Sequence, residues 1–203
     1  MNKLAEMARH DVAVPVRALR PVGVGIESCH EQEERREPSE TLKPKRRIRR
    51  GYSAVALDRP QKDSSLGGAM RAAGVYLASL IVVGGDARAK IENHADTMCA
   101  YRHIPTIRCG DVLAVIPYDC VPVAVELLED AVPLPEFDHP ERAYYIFGTE
   151  NGTLPERTTS RCGAKVYVPS PSGLCMNLAA AVNVILADRY AKREFSRLKK
   201  QLE

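Results

Sequence analysis

Two glycines flank a polar core in FGTENGTLPE, residues 147–156, directly after the apolar run AYYI. A strand that leaves the interior through Gly148 and Gly152 exposes backbone that a ligand can approach closely, because glycine has no Cβ and turns tightly. Between them Glu150 offers a carboxylate, suited to accepting backbone N–H groups of the loop or to facing a second molecule. Arg71 stands among glycines and alanines in SSLGGAMRAAG. Its planar guanidinium can grip a phosphate with two hydrogen bonds, which lysine cannot match. Asn177, in VPSPSGLCMNLAAA, falls where a helix begins, a position asparagine also takes as a cap. Neither GxxxxGK[ST] nor GxGxxG occurs, and the paired glycines of SSLGGAMR lack the fingerprint spacing, so an ordinary nucleotide-binding Rossmann site is not expected.

The remaining reactive side chains form no such grouping. Cys29, Cys99, Cys109, Cys120, Cys162 and Cys175 contain no CxxC pair and are expected as free thiols. His94, Cys99 and His103 match no standard zinc spacing, and no metal is expected. The 203 residues suffice for one packed domain with an extension. No apolar run approaches a membrane span, and MNKLAEMARHDVAVPVRALR is too punctuated by charge for a signal segment, so a cytoplasmic location is expected. Net charge is only +3, but EQEERREPSE (31–40) runs into KPKRRIRR (43–50). That basic run is either a solvated linker or a handle for phosphates, through counterion release. With three Phe and no Trp, a nucleic-acid surface would depend on charge more than on base stacking.

These residues need elements to hold them. Residues 1–50 are charged, proline-punctuated and weakly periodic, which suits a flexible extension. From Gly51 onward YSAVALD (52–58) reads as a buried strand, SSLGGAMRAAGVYL (64–77) as a helix with a serine N-cap, and SLIVVGG (79–85) as the next strand. A partly helical segment is expected over ARAKIENHADTMCAYRHIPT. Further strands are expected at DVLAVIPYD (111–119), RAYYIFG (142–148) and AKVYVPS (164–170), with helices over VPVAVELLED and from Cys175 to the C-terminus. Alternating strands and helices predict an α/β fold, a mostly parallel sheet with helices on both faces. Ligands of such sheets bind beyond the carboxyl ends of the strands, which brings forward IPYD, FGTENG and VPSPSGLCMN.

Those loops carry a resemblance. FGTENGTLP resembles the second motif of the SPOUT superfamily in its SpoU/TrmH branch of RNA ribose 2'-O-methyltransferases, Phe-Gly-x-Glu-x-x-Gly-Leu. VPSPSGLCMNLAAAVNVIL is similar to the third motif, and SLGGAMRAAG to the first, Asn-x-Gly-x-x-x-Arg; the three occur in family order over residues 52–195. Ser65 stands in place of the motif-one asparagine and Cys175 in place of the motif-three serine. The resemblance implies a C-terminal trefoil knot, an exception to the rule against threaded chains, and S-adenosyl-L-methionine as cofactor. By motif position the cofactor is expected near Ile116, Gly148, Gly152, Val168, Pro169, Met176 and Leu178. Arg71, Glu150 and Asn177 are the implied catalytic residues, and Ser65, Arg71 and Cys175 the implied substrate contacts. It further implies an RNA substrate, tRNA ahead of rRNA, and a homodimer in which the Arg71 region of one subunit lies near the other's cofactor pocket. A non-catalytic RNA-binding knot protein and a base N-methyltransferase are the alternatives.

Overall fold

The computed structural model describes residues 51–150 and 152–202, the side chains of 194–202 excepted. The expected flexible extension, with its KPKRRIRR run, lies outside the described residues. The elements are β1 (Tyr52–Asp58), α1 (Asp63–Val75), β2 (Leu80–Gly84), β3 (Thr106–Cys109), β4 (Val121–Val125), β5 (Val132–Pro133), β6 (Arg142–Phe147), α2 (Glu156–Thr159), β7 (Ala164–Tyr167) and α3 (Leu178–Leu202). Seven strands form one sheet in the order β3-β2-β1-β6-β4-β7-β5, and every pairing is parallel.

The inner strands are apolar throughout because both faces of the sheet are covered. Val55, Leu57, Ile81, Val83, Tyr145 and Phe147 pack on one face against Leu66 and Met70 of α1 and Val182, Ile185 and Leu186 of α3. Each such fully buried side chain contributes about 1.5–3 kcal/mol of transfer free energy. Ala54, Ala56, Val82, Tyr144 and Ile146 point the other way, under Val112, Leu113 and Leu154. The two long helices therefore share one face. A 3₁₀ turn (Val112–Val115) and the segment containing α2 cover the second.

The paired glycines of α1 serve packing. A Cβ on Gly68 would lie 2.7 Å from the Cβ of Ala179 in α3, and one on Gly67 would lie 2.1 Å from Asn93 Oδ1. Their bareness lets α3 cross close to α1 on one side and the segment 86–104 press on it from another.

A buried polar cluster fastens α3 to the amino ends of β1 and β6. Arg189, only 4% exposed, donates to the carbonyls of Tyr52 (3.1 Å), Pro140 (2.6 Å) and Glu141 (2.7 Å) and to the Tyr145 hydroxyl (3.1 Å). His139 bridges the Tyr145 hydroxyl (2.6 Å) and Asp188 (2.9 Å), and Lys192 reaches Asp188 at 2.8 Å. Burial lowers the His139 pKa from its ordinary value, and this outweighs the opposing pull of Asp188.

Two expectations are overturned. DVLAVIPYD is not a central strand: Asp111 accepts a hydrogen bond from Leu113 N (2.9 Å) and caps the 3₁₀ turn that follows. A short apolar run has no periodicity by which to tell a strand from a buried turn. Nor is VPVAVELLED a helix, since its first five residues are β4. Valines at alternate positions 121, 123 and 125 suit a pleated strand, where β-branched side chains pack without crowding a preceding turn. The segment 86–105 contains only a single 3₁₀ turn, Ala100–Arg102, and ends in the short strand β3.

Candidate active site

Because all seven strands run parallel, their carboxyl ends lie along one edge of the sheet. The exits of β6, β4 and β7 are neighbours there: Gly148–Thr149–Glu150, Glu126–Leu127 and Val168–Pro169.

Glu150 joins this edge to α1. Its carboxylate accepts hydrogen bonds from the backbone N–H of Gln61 (3.1 Å) and of Lys62 (3.2 Å), the two residues that precede α1. No side chain of the helix's own start supplies a cap; Lys62 occupies the N-cap position, and the expected Ser64 cap is replaced by this carboxylate from 88 residues away. The geometry satisfies orphan N–H groups and sets a negative charge at the positive end of the helix dipole. Burial alone would raise the Glu150 pKa, but hydrogen bonds from its own N–H, Gln61, Ser65 and Lys62 prevail and hold it below the ordinary value. Ser65, one turn into α1, thus faces the β6 exit. Two turns along, Arg71 is exposed and makes no hydrogen bond or ion pair with a described residue.

Gly148 has a reason beyond ligand approach. A Cβ there would lie 3.3 Å from Glu126 Oε2 and 3.4 Å from Leu154 N. Glu126 accepts from Leu154 N (3.1 Å) and Leu127 N (3.2 Å), so its carboxylate clamps the β6 exit loop to the end of β4. Sequence reasoning missed Glu126 because it assigned that segment to a helix. The available signal was the carboxylate placed directly after the alternating valines. Gly152 is open, with only Thr149 Cγ2 nearby at 3.4 Å.

After β7 the chain is exposed from Pro171 through Asn177. Ser170 and Ser172 hydroxyls pair at 2.9 Å, and Gly173 turns with φ +70°. Asn177 Oδ1 accepts from Ala180 N (2.8 Å), the capping role its position suggested. Leu178 is buried in the core and Val168 packs against it, whereas Met176 and Cys175 are exposed. Ile116 does not join the others. It packs on the second face of the sheet with Cys120 and Cys162, just before β4 and β7 begin, away from their carboxyl ends. Its expected place at the site came from the motif resemblance, which set it after a strand that is a 3₁₀ turn. Among the described residues no three His, Cys, Asp or Glu side chains gather as a metal site, and no helix is long and apolar enough to cross a membrane.

Apolar side chains stand exposed on these loops. Leu127 and Met176 are 66% and 43% exposed on the β4 and β7 exits, and Leu174 is 73% exposed between them in sequence and α3.

Residues 52–187 match the SpoU rRNA Methylase family, and the chain belongs to it. The fold is shared with solved structures of low identity. The SpoU methyltransferase AviRb from Streptomyces viridochromogenes is 21% identical at a TM-score of 0.62, over 74% of this chain and 63% of its own; it was also solved with the cofactor AdoMet. The TrmH/SpoU tRNA modifying enzyme of A. aeolicus is 17% identical at 0.63, over 73% and 78%. A third, described as giving insight into 2-OH methylation of C/U34 on tRNA, is 22% identical at 0.59, over 69% and 95%. The chain thus spans less than two thirds of AviRb. Comparison with curated protein sequences finds no match.

Proposed function

We propose that this protein transfers a methyl group from S-adenosyl-L-methionine to a ribose 2'-hydroxyl of RNA, with tRNA favoured over rRNA. The observation that carries the reading is the Glu150 bridge. It fixes the start of α1, and with it Ser65, to the exit of β6, leaving Arg71 on the same helix exposed and without a partner among the described residues. Family membership supports the reaction class, and the words describing the C/U34 structure support the ribose hydroxyl and tRNA.

In this reading the loops after β4, β6 and β7 hold the cofactor through backbone groups of Gly148, Gly152, Val168 and Pro169, flanked by Leu127, Met176 and Leu178. When bound, the cofactor supplies an electrophilic methyl on a sulfonium. The chain's own task is to align the hydroxyl, exclude water and help the proton leave. Arg71 orients the target phosphate or favours the deprotonated hydroxyl by its charge. Glu150 holds the helix that carries Arg71, and Asn177 caps α3 beneath the third loop. Ser65 and Cys175 contact the substrate nucleotide from either side.

The test is incubation with labelled cofactor and total RNA, followed by nucleoside analysis. A labelled 2'-O-methylnucleoside, lost in Arg71→Ala and retained in a Cys99→Ala control, is the expected result; label on a base would move the assignment to base methylation, and no binding of S-adenosylhomocysteine in calorimetry would leave a non-catalytic RNA binder. The proposal includes a homodimer through α3, checked by sedimentation at micromolar concentration, where a monomer would refute it. It also includes the trefoil knot over β4 to α3, which an experimental structure with an unthreaded chain path would remove.

A further inference from the structure

A second feature of the carboxyl edge lies outside the three loops. Arg59, Arg108 and Arg157, from the ends of β1 and β3 and from α2, converge on a cleft of about 400 Å³. Asp86 is the one carboxylate in its lining. Three guanidinium groups from segments about fifty residues apart in sequence would repel one another, so their convergence calls for an anion.

Their existing partners meet the charge of only one of the three. Arg59 is paired with Asp58 at 2.9 Å. Arg108 donates to the carbonyls of Ala87 (3.1 Å) and Ala89 (2.8 Å), which fix its plane without neutralising it. Arg157 is exposed and makes no hydrogen bond or ion pair with a described residue.

The backbone is shaped for the same end. Arg59 is held at φ 50°, a left-handed conformation that non-glycine residues seldom adopt, by its N–H on Gly84 O (2.9 Å). A Cβ on Gly85 would lie 2.3 Å from Arg59 Cγ, so only a glycine there lets the arginine stem cross. Gly110, also in the lining, would have nothing within 4 Å of an added Cβ, so the cleft is open beside it.

The cleft is tied to the candidate site through one residue. Gln61, whose N–H binds Glu150, donates its side-chain amide to Arg59 O (2.7 Å) and to Asp86 O (3.4 Å). We propose that this cleft grips a backbone phosphate of the RNA strand next to the target nucleotide, making Arg59, Arg108 and Arg157 positioning residues for the substrate. The proposal rests on the RNA-methyltransferase reading for the identity of the polymer, but its test does not.

The test measures fluorescence anisotropy of a labelled 20-nucleotide uridine RNA with the full chain over a salt series. Arg157→Ala is the cleanest variant, since that side chain holds nothing else; Arg108→Gln is the second. Arg161→Ala removes the same charge from an exposed residue outside the lining. One lost phosphate contact on a single strand lowers the slope of log K against log salt by about 0.7, which is about 5-fold in affinity at 0.1 M salt. Each cleft variant is expected to show that loss, with Arg161→Ala close to wild type. Cleft variants indistinguishable from Arg161→Ala, or a wild type that does not bind the RNA, would overturn the proposal. S-adenosylhomocysteine titration of the same preparations keeps the readings apart: wild type without cofactor binding sinks the methyltransferase, whereas the RNA comparison alone decides the cleft.

Discussion

Replacing Glu150 separates a brace from a reactive group, and the structure sets the size of each effect. In Glu150→Ala the N–H groups of Gln61 and Lys62 lose their acceptor, as when a helix loses its N-cap, for about 1–2 kcal/mol. Glu150→Gln keeps an acceptor oxygen and loses only the charge at the helix start, for about 0.3–1 kcal/mol. Because the folded-state pKa of Glu150 lies below its ordinary value of 4.5, the charge stabilises the fold fully above that value. The contribution is lost as pH falls through the folded pKa, so the gap between wild type and Glu150→Gln should close in strong acid. Urea unfolding followed by circular dichroism at neutral and acid pH measures both quantities. A brace also predicts that Glu150→Gln retains most methyl transfer and that both variants bind S-adenosylhomocysteine as wild type does. Wild-type stability in Glu150→Ala at pH 7, or a Glu150→Gln deficit that persists in acid, would refute the bridge.

Three further outcomes test the frame around the site. Arg189→Met leaves the Pro140 carbonyl without its buried donor, while Tyr145 keeps His139, Glu141 O keeps Tyr52 N and Tyr52 O keeps its place in the β1–β6 ladder. At about 1–3 kcal/mol for an orphaned acceptor the loss is roughly 2 kcal/mol, read as a fall in the urea midpoint; no measurable fall would show that water fills the gap. Gly68→Val forces α3 away from α1, because the added Cβ meets Ala179 at 2.7 Å, and overpacking of this kind destabilises by about 1–3 kcal/mol. Gly110→Ala, with open space around the new methyl, should leave thermal stability unchanged.

What the residues disclosed in advance divides along a physical line. β1, β2 and β6 were legible because buried strands read as near-continuous apolar runs between turn residues, β7 because its four residues run into the proline- and glycine-marked exit VPSPSG, and α1 because small apolar residues recur at helical spacing. β3 and β5, of four and two residues, are edge-side strands too short for any period to declare itself. The failure that mattered was at 111–125, where a turn was taken for a strand and the strand for a helix. That exchange displaced one of the three expected site loops from a strand exit and hid Glu126. The other two loops do follow strands, β6 and β7, because glycine and proline mark chain exits whatever the order of strands. Glu150 shows the limit of local reading most clearly. Its partners, Gln61 and Lys62, are 89 and 88 residues away, so no window on the chain contains the contact. Only the parallel register of β1 and β6, which sets Leu57 beside Phe147, carries both exits to the same edge and turns a loop carboxylate into the cap of a distant helix. The role of a polar loop residue here follows from which strands are neighbours, and strand order is the property that sequence pattern encodes least.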